Sequence, residues 1–295
     1  MWMGAHWFVA GGIVIASTLG VSALIIGLTI GAVGTSLPEL IVSWLAAGVG
    51  TPGISLGNVV GSNIANIGLA LGVGAVIFPV PVEKSVKKYD YWVLLISVLG
   101  LLIITWDLIF TGIEGIVFVL LFILYLFFLS YRHKKLSGNL KKKEKLNHHS
   151  LGKGIVFFIA GVLGLYAGSR LTINAAYNIA VSYGVSDTII GITAVAVGTS
   201  LPEVAVVVSG SLKKKPEISL GTIIGSNIIN TFLVAGGAAI INPIVIVKEE
   251  FVFLVPSVLL FTLLLLPAIF LGKKINRLKG VFLLSGYIIY VAVLI

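Results

Sequence analysis

The sequence contains no cysteine and very little charge. Without cysteine it can build no disulfide framework, thiolate metal site or thiol nucleophile. Charged residues make up 11% of the chain, against about 25% in a soluble domain, so most of its surface must face lipid. Apolar residues reach 58% and mean hydropathy is +1.13. The 35 glycines and 9 prolines suit transmembrane helices, in which small residues let backbones approach closely. A net charge of +9 could suggest a nucleic-acid binder, but its distribution argues against one. The basic residues cluster in short connections between apolar runs, above all Arg132 to Lys145, as cytoplasmic loops do under the positive-inside bias. No basic region precedes the first apolar stretch, which disfavours a signal peptide.

Apolar runs of about 20 residues cross a bilayer as helices. They fall at about 22–48, 54–79, 89–107, 112–131, 152–183, 188–212, 218–242, 250–271 and 278–295, with a shorter apolar piece before Val21. If these spans alternate, every basic connection lies on one side, while Asp107, Asp187 and Glu249–Glu250 lie on the other. The expectation is a multi-pass cell-membrane protein with its basic 132–150 loop in the cytoplasm.

An internal repeat organises the chain. Gly34-Thr35-Ser36-Leu37-Pro38-Glu39 recurs as Gly198-Thr199-Ser200-Leu201-Pro202-Glu203, an offset of 164 residues. The same offset carries Gly61-Ser62-Asn63-Ile64 onto Gly225-Ser226-Asn227-Ile228, Asn66 onto Asn230 and Pro79 onto Pro243. An odd number of spans separates the copies, so they insert with opposite orientation. Inverted repeats of this kind build many secondary transporters, with the binding site at the midplane between them. The expected fold is therefore an all-α polytopic membrane protein with two inverted-topology repeats of about five helices each. Residues 1–131 form the first repeat, 132–151 a basic linker and 152–295 the second. The long helix opening the second repeat, from about Gly152, would have a counterpart beginning before residue 1, so the first helix is expected to be shortened at its N-terminus.

Of eleven acidic residues, only Glu39 and Glu203 sit deep in apolar spans. A charge at mid-membrane costs about 2.5–3.5 kcal/mol and demands a partner or a water-filled cavity. Neither span offers a basic residue, so a bound cation or a proton must supply the positive charge. Pro38 and Pro202 each remove the hydrogen bond to the carbonyl four residues earlier, and a hard cation can satisfy carbonyls loosened in this way. Thr35, Ser36 and Glu39 share one helix face, as do Ser62 with Asn66 and Ser226 with Asn230. Facing helices would thus supply two carboxylates with hydroxyl, amide and carbonyl oxygens, which suits calcium. Mid-span His and Cys are lacking, so a soft transition metal fits poorly. Arg170, which the repeat pairs with His6, reads as a snorkelling residue or as one that lines the solvent entrance.

The doubled GTSLPE motif, with GNVVGSNIANIG at 57–68 and GTIIGSNIIN at 221–230, resembles the two alpha-repeats of the calcium/cation antiporter superfamily. Within it, the chain is most similar to prokaryotic sodium/calcium exchangers. The resemblance implies ten spans, a first and a sixth helix that slide, and ion ligands at Thr35, Ser36, Glu39, Ser62, Asn66, Thr199, Ser200, Glu203, Ser226 and Asn230. It also implies that the carbonyls of Ala32 and Ala196 take part. Exchangers of this type commonly carry Asp where this chain has Asn230, so the site keeps two carboxylates. The implied activity is antiport of Ca2+ against Na+, with Glu39 and Glu203 shared by the competing ions. The transported ions are the only small partners expected, with no cofactor, nucleic acid or obligate protein partner. A Ca2+/H+ exchanger in which the same glutamates titrate is the alternative, and a cation channel a further one. An intramembrane enzyme is disfavoured, since no mid-span His, Cys or Ser–Lys pair offers nucleophile and base.

Overall fold

A computed structural model describes residues 2–19, 22–137, 148–182 and 196–294. Asp187, residues 138–147 of the basic linker and the Arg170 side chain lie outside the described residues. The described chain is helical apart from four two-residue strands. Helix α1 spans Trp2–Leu19, and α2 (Leu24–Thr35) meets α3 (Leu37–Gly48) at a 45° bend. Then come α4 (Pro52–Ile77), α5 (Val86–Asp107), α6 (Gly112–Ser137) and α7 (His148–Ser182). The short α8 (Ala196–Thr199) leads into α9 (Leu201–Leu212), followed by α10 (Pro216–Ile241), α11 (Lys248–Phe270) and α12 (Arg277–Leu294). Among the described residues six helices are long and apolar enough to cross a membrane, and the bent pair makes a seventh.

Proline and serine place the breaks. Pro38, Pro52, Pro202 and Pro216 all stand in the first turn of a helix, where a missing N–H leaves no intrahelical bond unmade. Ser36, at φ −83° and ψ 6°, leaves the helical region and ends α2 just before Pro38. The piece before Val21 is a continuous helix of 18 residues, about 27 Å long at 1.5 Å per residue. It packs antiparallel to α7, where glycine permits close approach: a Cβ on Gly161 would fall 2.4 Å from the Phe8 nitrogen.

Helices α4 and α10 form the centre. In them 72% and 89% of the spanning residues are buried, against 22–39% in the four other helices that cross singly. Both contain a wide π-helical segment, Asn66–Leu71 and Asn230–Ala235, related by the repeat offset. Such segments concentrate at functional sites. Helix α2 carries another at Gly27–Gly31, and lies so close to α10 that a Cβ on Gly221 would come within 2.4 Å of the Leu24 carbonyl oxygen.

The strands link the halves. Val80–Pro81 (β1) pairs antiparallel with Lys274–Ile275 (β4), and Ile109–Phe110 (β2) with Ile244–Val245 (β3). Strands β1 and β3 are themselves 164 residues apart, so each repeat contributes one strand to each ribbon. The β1–β4 ribbon brings the 82–88 and 271–276 connections to one end of the bundle, where Lys87 Nζ donates to the Gly272 carbonyl at 2.6 Å. Between α5 and α6, Arg132 bonds Asp90 at 2.7 Å and lies over the rings of Tyr89 and Phe128, a pairing that buried charges require.

The α2–α10 contact leaves no room for a methyl. Gly221→Ala is expected to cost about 1–3 kcal/mol through overpacking. Gly57→Ala, where an added Cβ meets nothing within 4 Å, is expected to leave stability unchanged or slightly raised. Thermal unfolding of the purified proteins in detergent measures both.

Candidate functional site

The bend after Thr35 and the break at Ser200 place each glutamate in the first turn of a half-helix, Glu39 in α3 and Glu203 in α9. The positive end of the helix dipole favours a carboxylate there, while the C-terminal ends of α2 and α8 present Thr35 and Thr199 to the same region. Thr35, Ser36, Glu39, Ser62, Asn66, Thr199, Ser200, Glu203, Ser226 and Asn230 are all buried, and hydrogen bonds knit them across the two repeats.

The cross-links come in related pairs. Thr35 Oγ1 and Ser226 Oγ are 3.1 Å apart, and their counterparts Thr199 Oγ1 and Ser62 Oγ are 3.2 Å apart. Ser226 donates to Glu203 Oε1 at 3.2 Å, and Ser36 reaches the same oxygen at 3.5 Å. Behind them, where α4 crosses α10, four asparagine amides interlock. Asn66 Nδ2 donates to Asn227 Oδ1 at 2.9 Å and Asn230 Nδ2 to Asn63 Oδ1 at 3.2 Å. Asn63 Nδ2 donates to the Asn227 carbonyl at 3.4 Å and Asn227 Nδ2 to the Asn63 carbonyl at 3.1 Å. Thr231 Oγ1 accepts from Asn63 as well, at 3.0 Å.

What remains unpaired is oxygen. Both carboxylate oxygens of Glu39, Oε2 of Glu203, Oδ1 of Asn66, Oδ1 of Asn230 and Oγ of Ser200 are buried and find no hydrogen-bond partner among the described residues. A buried polar atom without a partner is costly, and six in one place form a donor set for a hard cation. No Lys or Arg bonds either glutamate among the described residues, whose one buried ion pair is Asp90–Arg132. Nor do the described residues gather three or more His, Cys, Asp or Glu, so the donors are two carboxylates filled out by neutral oxygens. Among the two carbonyls implied by resemblance, that of Ala32 accepts the Ser36 N–H at 3.0 Å and the Thr35 hydroxyl at 3.4 Å. Ala196 opens α8.

Three residues behind this layer escaped the sequence reading: Asn58, Asn63 and Asn227. For the last two the signal was present, since Asn63 and Asn227 are themselves 164 residues apart within the repeated GSNI motif. Asn58 has no such signal, because its counterpart is Thr222.

Two half-repeats with broken helices, crossing at a buried oxygen-lined site, define a membrane antiporter. The chain belongs to the sodium/calcium exchanger protein family, whose model matches residues 1–131 and 153–295. A sodium/calcium exchanger of Methanosarcina acetivorans is 34% identical over 99% of this chain and 94% of its own. An uncharacterised membrane protein of Methanocaldococcus jannaschii is 36% identical over 99% of this chain and 93% of its own. A solved structure of the sodium-calcium exchanger NCX_Mj superposes with a TM-score of 0.88 at 35% identity, covering 100% of this chain and 95% of that one.

The amide crossing gives a direct test. Asn227→Ala leaves Asn66 Nδ2 without its acceptor and removes one of the ties between α4 and α10. The expected loss is about 1–3 kcal/mol for the orphaned donor, read as a lower unfolding midpoint. Ser17→Ala, on the exposed part of α1, is expected to fall within about 0.5 kcal/mol of the parent.

Proposed function

We propose that this protein is a secondary active antiporter that exchanges Ca2+ for Na+ by alternating access. The observation that carries the reading is the facing pair of buried carboxylates, one from each inverted repeat, with no positive side chain among the described residues bonded to either. Two carboxylates match the charge of one Ca2+, and the neutral oxygens of Thr35, Ser36, Ser62, Asn66, Thr199, Ser200, Ser226 and Asn230 offer more than enough further donors to complete the 6–8 that Ca2+ takes. The carbonyls of Ala32 and Ala196 are further candidate ligands. Sodium uses the same oxygens, so the two ions compete for Glu39 and Glu203, and occupation by one expels the other. Residues 1–131 and 152–295 act as the two repeats, joined by a linker, 132–151, that lies in the cytoplasm.

Asn230 supports a second reading. Its amide nitrogen is committed to Asn63 and its oxygen is a neutral donor, so Glu39 and Glu203 are the only carboxylates in the set. Protons on these two could serve as the counter-ion, which makes the protein a Ca2+/H+ exchanger.

Flux of Ca2+ into proteoliposomes separates the two readings. A Na+ gradient at fixed pH is expected to drive uptake, whereas a pH step without Na+ is not. Uptake driven by the pH step alone would overturn the sodium assignment. Glu39→Gln and Glu203→Gln are each expected to reduce exchange at least a hundredfold, since each removes half the site's charge; retained exchange in both sinks the shared-carboxylate mechanism.

A further inference from the structure

The four asparagines of the α4–α10 crossing are related in pairs by the repeat, but one residue bonded to them is not. By the repeat offset Asn63 corresponds to Asn227 and Asn66 to Asn230, whereas Thr231 corresponds to Ile67. All four amides and Thr231 are buried, and the orientation of a buried amide follows from the atoms it meets.

On one side of the crossing the main chain does the fixing. Asn227 Nδ2 donates to the Asn63 carbonyl at 3.1 Å, inside the range of about 2.7–3.2 Å for a well-made N–H···O bond. A carbonyl only accepts, so the Asn227 nitrogen must face it. Oδ1 is left to face Asn66, whose Nδ2 donates to it at 2.9 Å. On the other side the equivalent contact, from Asn63 Nδ2 to the Asn227 carbonyl, is stretched to 3.4 Å. Thr231 supplies the shorter bond there, its Oγ1 accepting from Asn63 Nδ2 at 3.0 Å. The hydroxyl must act as an acceptor in that contact, because its one proton goes to the Asn227 carbonyl at 2.9 Å. Asn63 Oδ1 is thereby turned to Asn230, whose Nδ2 donates to it at 3.2 Å. With its nitrogen held, Asn230 keeps Oδ1 buried and free of hydrogen bonds among the described residues.

We propose that Thr231 is a positioning residue for the ion site: by holding Asn63 Nδ2 it keeps Asn63 Oδ1 on the Asn230 nitrogen, so that Asn230 offers the cation its oxygen. The inference rests on reading Asn230 as a ligand of Ca2+. Without the Thr231 acceptor, Asn63 retains only the 3.4 Å contact and its amide can turn over. Its nitrogen then meets Asn230, which answers by pointing Oδ1 at Asn63 and its N–H groups at the cation. The oxygen that would bind the ion is replaced by a group that repels it. One neutral hydrogen bond, set between two orientations of an amide, biases them by about two- to tenfold.

The test is calorimetric titration of Ca2+ into the full chain purified in detergent, with thermal unfolding of the ion-free protein measured alongside. Thr231→Val keeps the shape of the side chain and removes the acceptor, and is expected to raise the Ca2+ Kd about fivefold. Thr231→Ser keeps the hydroxyl and is expected to stay within about twofold of the parent. Thr231→Ala removes the acceptor without adding a methyl, so it carries the test if Thr231→Val does not fold. Thr262→Val in α11 controls for the loss of a buried hydroxyl, since Thr262 Oγ1 bonds the Val258 carbonyl at 2.8 Å; it is expected to leave the Kd unchanged. A folded Thr231→Val or Thr231→Ala protein with the parent's Kd overturns the proposal, even if its unfolding midpoint falls, because that is what a purely structural hydroxyl would give. An equal rise in Kd for Thr231→Ser or for Thr262→Val overturns it as well. A parent that binds Ca2+ but moves none under a Na+ gradient sinks the exchange reading alone and leaves this binding test decisive. One that binds no Ca2+ overturns both.

Discussion

Two carboxylates are buried where the inverted repeats meet, and no cationic side chain among the described residues is bonded to them. That single electrostatic constraint organises the rest of the molecule. Each carboxylate sits on the first turn of a half-helix, where the dipole eases its burial, and each faces hydroxyls contributed by the opposite repeat. Contrast Asp90 and Arg132, a buried carboxylate and guanidinium that bond each other at 2.7 Å. The chain can place a positive side chain against a buried acid, and does so away from the centre. At the centre it leaves oxygen lone pairs facing one another, an arrangement that stores a demand for a mobile positive charge.

Meeting that demand requires backbone that is irregular yet satisfied, because unpaired main-chain groups are costly in lipid. The solution is local. Breaks after Thr35 and Thr199 fall where proline already lacks an N–H, and the wide turns beginning at Asn66 and Asn230 lie inside the two most buried helices. The four asparagine amides then do two things with one set of bonds. Their nitrogens tie α4 to α10, and the oxygens of Asn66 and Asn230 are left free on the site side. A hydrophobic crossing of the same helices could hold them together, but it would offer the ion nothing.

Much of this was legible in the sequence because the constraint is periodic. Doubling of GTSLPE at a fixed offset, with acid rare elsewhere in the spans, locates Glu39 and Glu203, and i,i+4 spacing collects Thr35, Ser62 and Asn66 around them. The bend at Ser36 follows from Pro38. Other features left no such trace. The strands β1 to β4 are two residues each, too short for alternation to register, and their pairing joins positions 134 to 195 residues apart. The Asp90–Arg132 pair lies close to span ends, where charges are ordinary, so nothing in its pattern separates it from a loop charge. The π-helical turns depend on packing against neighbours rather than on any local propensity.

The hardest feature to read was also the most asymmetric one. A repeat draws attention to what recurs, and Asn58 does not recur: its counterpart is Thr222, with Val207 in place of Ser43. Around Asn58 the two halves therefore differ: its amide bonds the Glu39 main-chain carbonyl and Ser43, whereas Thr222 Oγ1 meets no hydrogen-bond partner among the described residues. An amide that bonds the main chain of one repeat and the Thr199 hydroxyl of the other ties the halves together at a position the repeat does not mark. Symmetry thus supplies the candidate ligands, and its local failure distinguishes the surroundings of one carboxylate from those of the other.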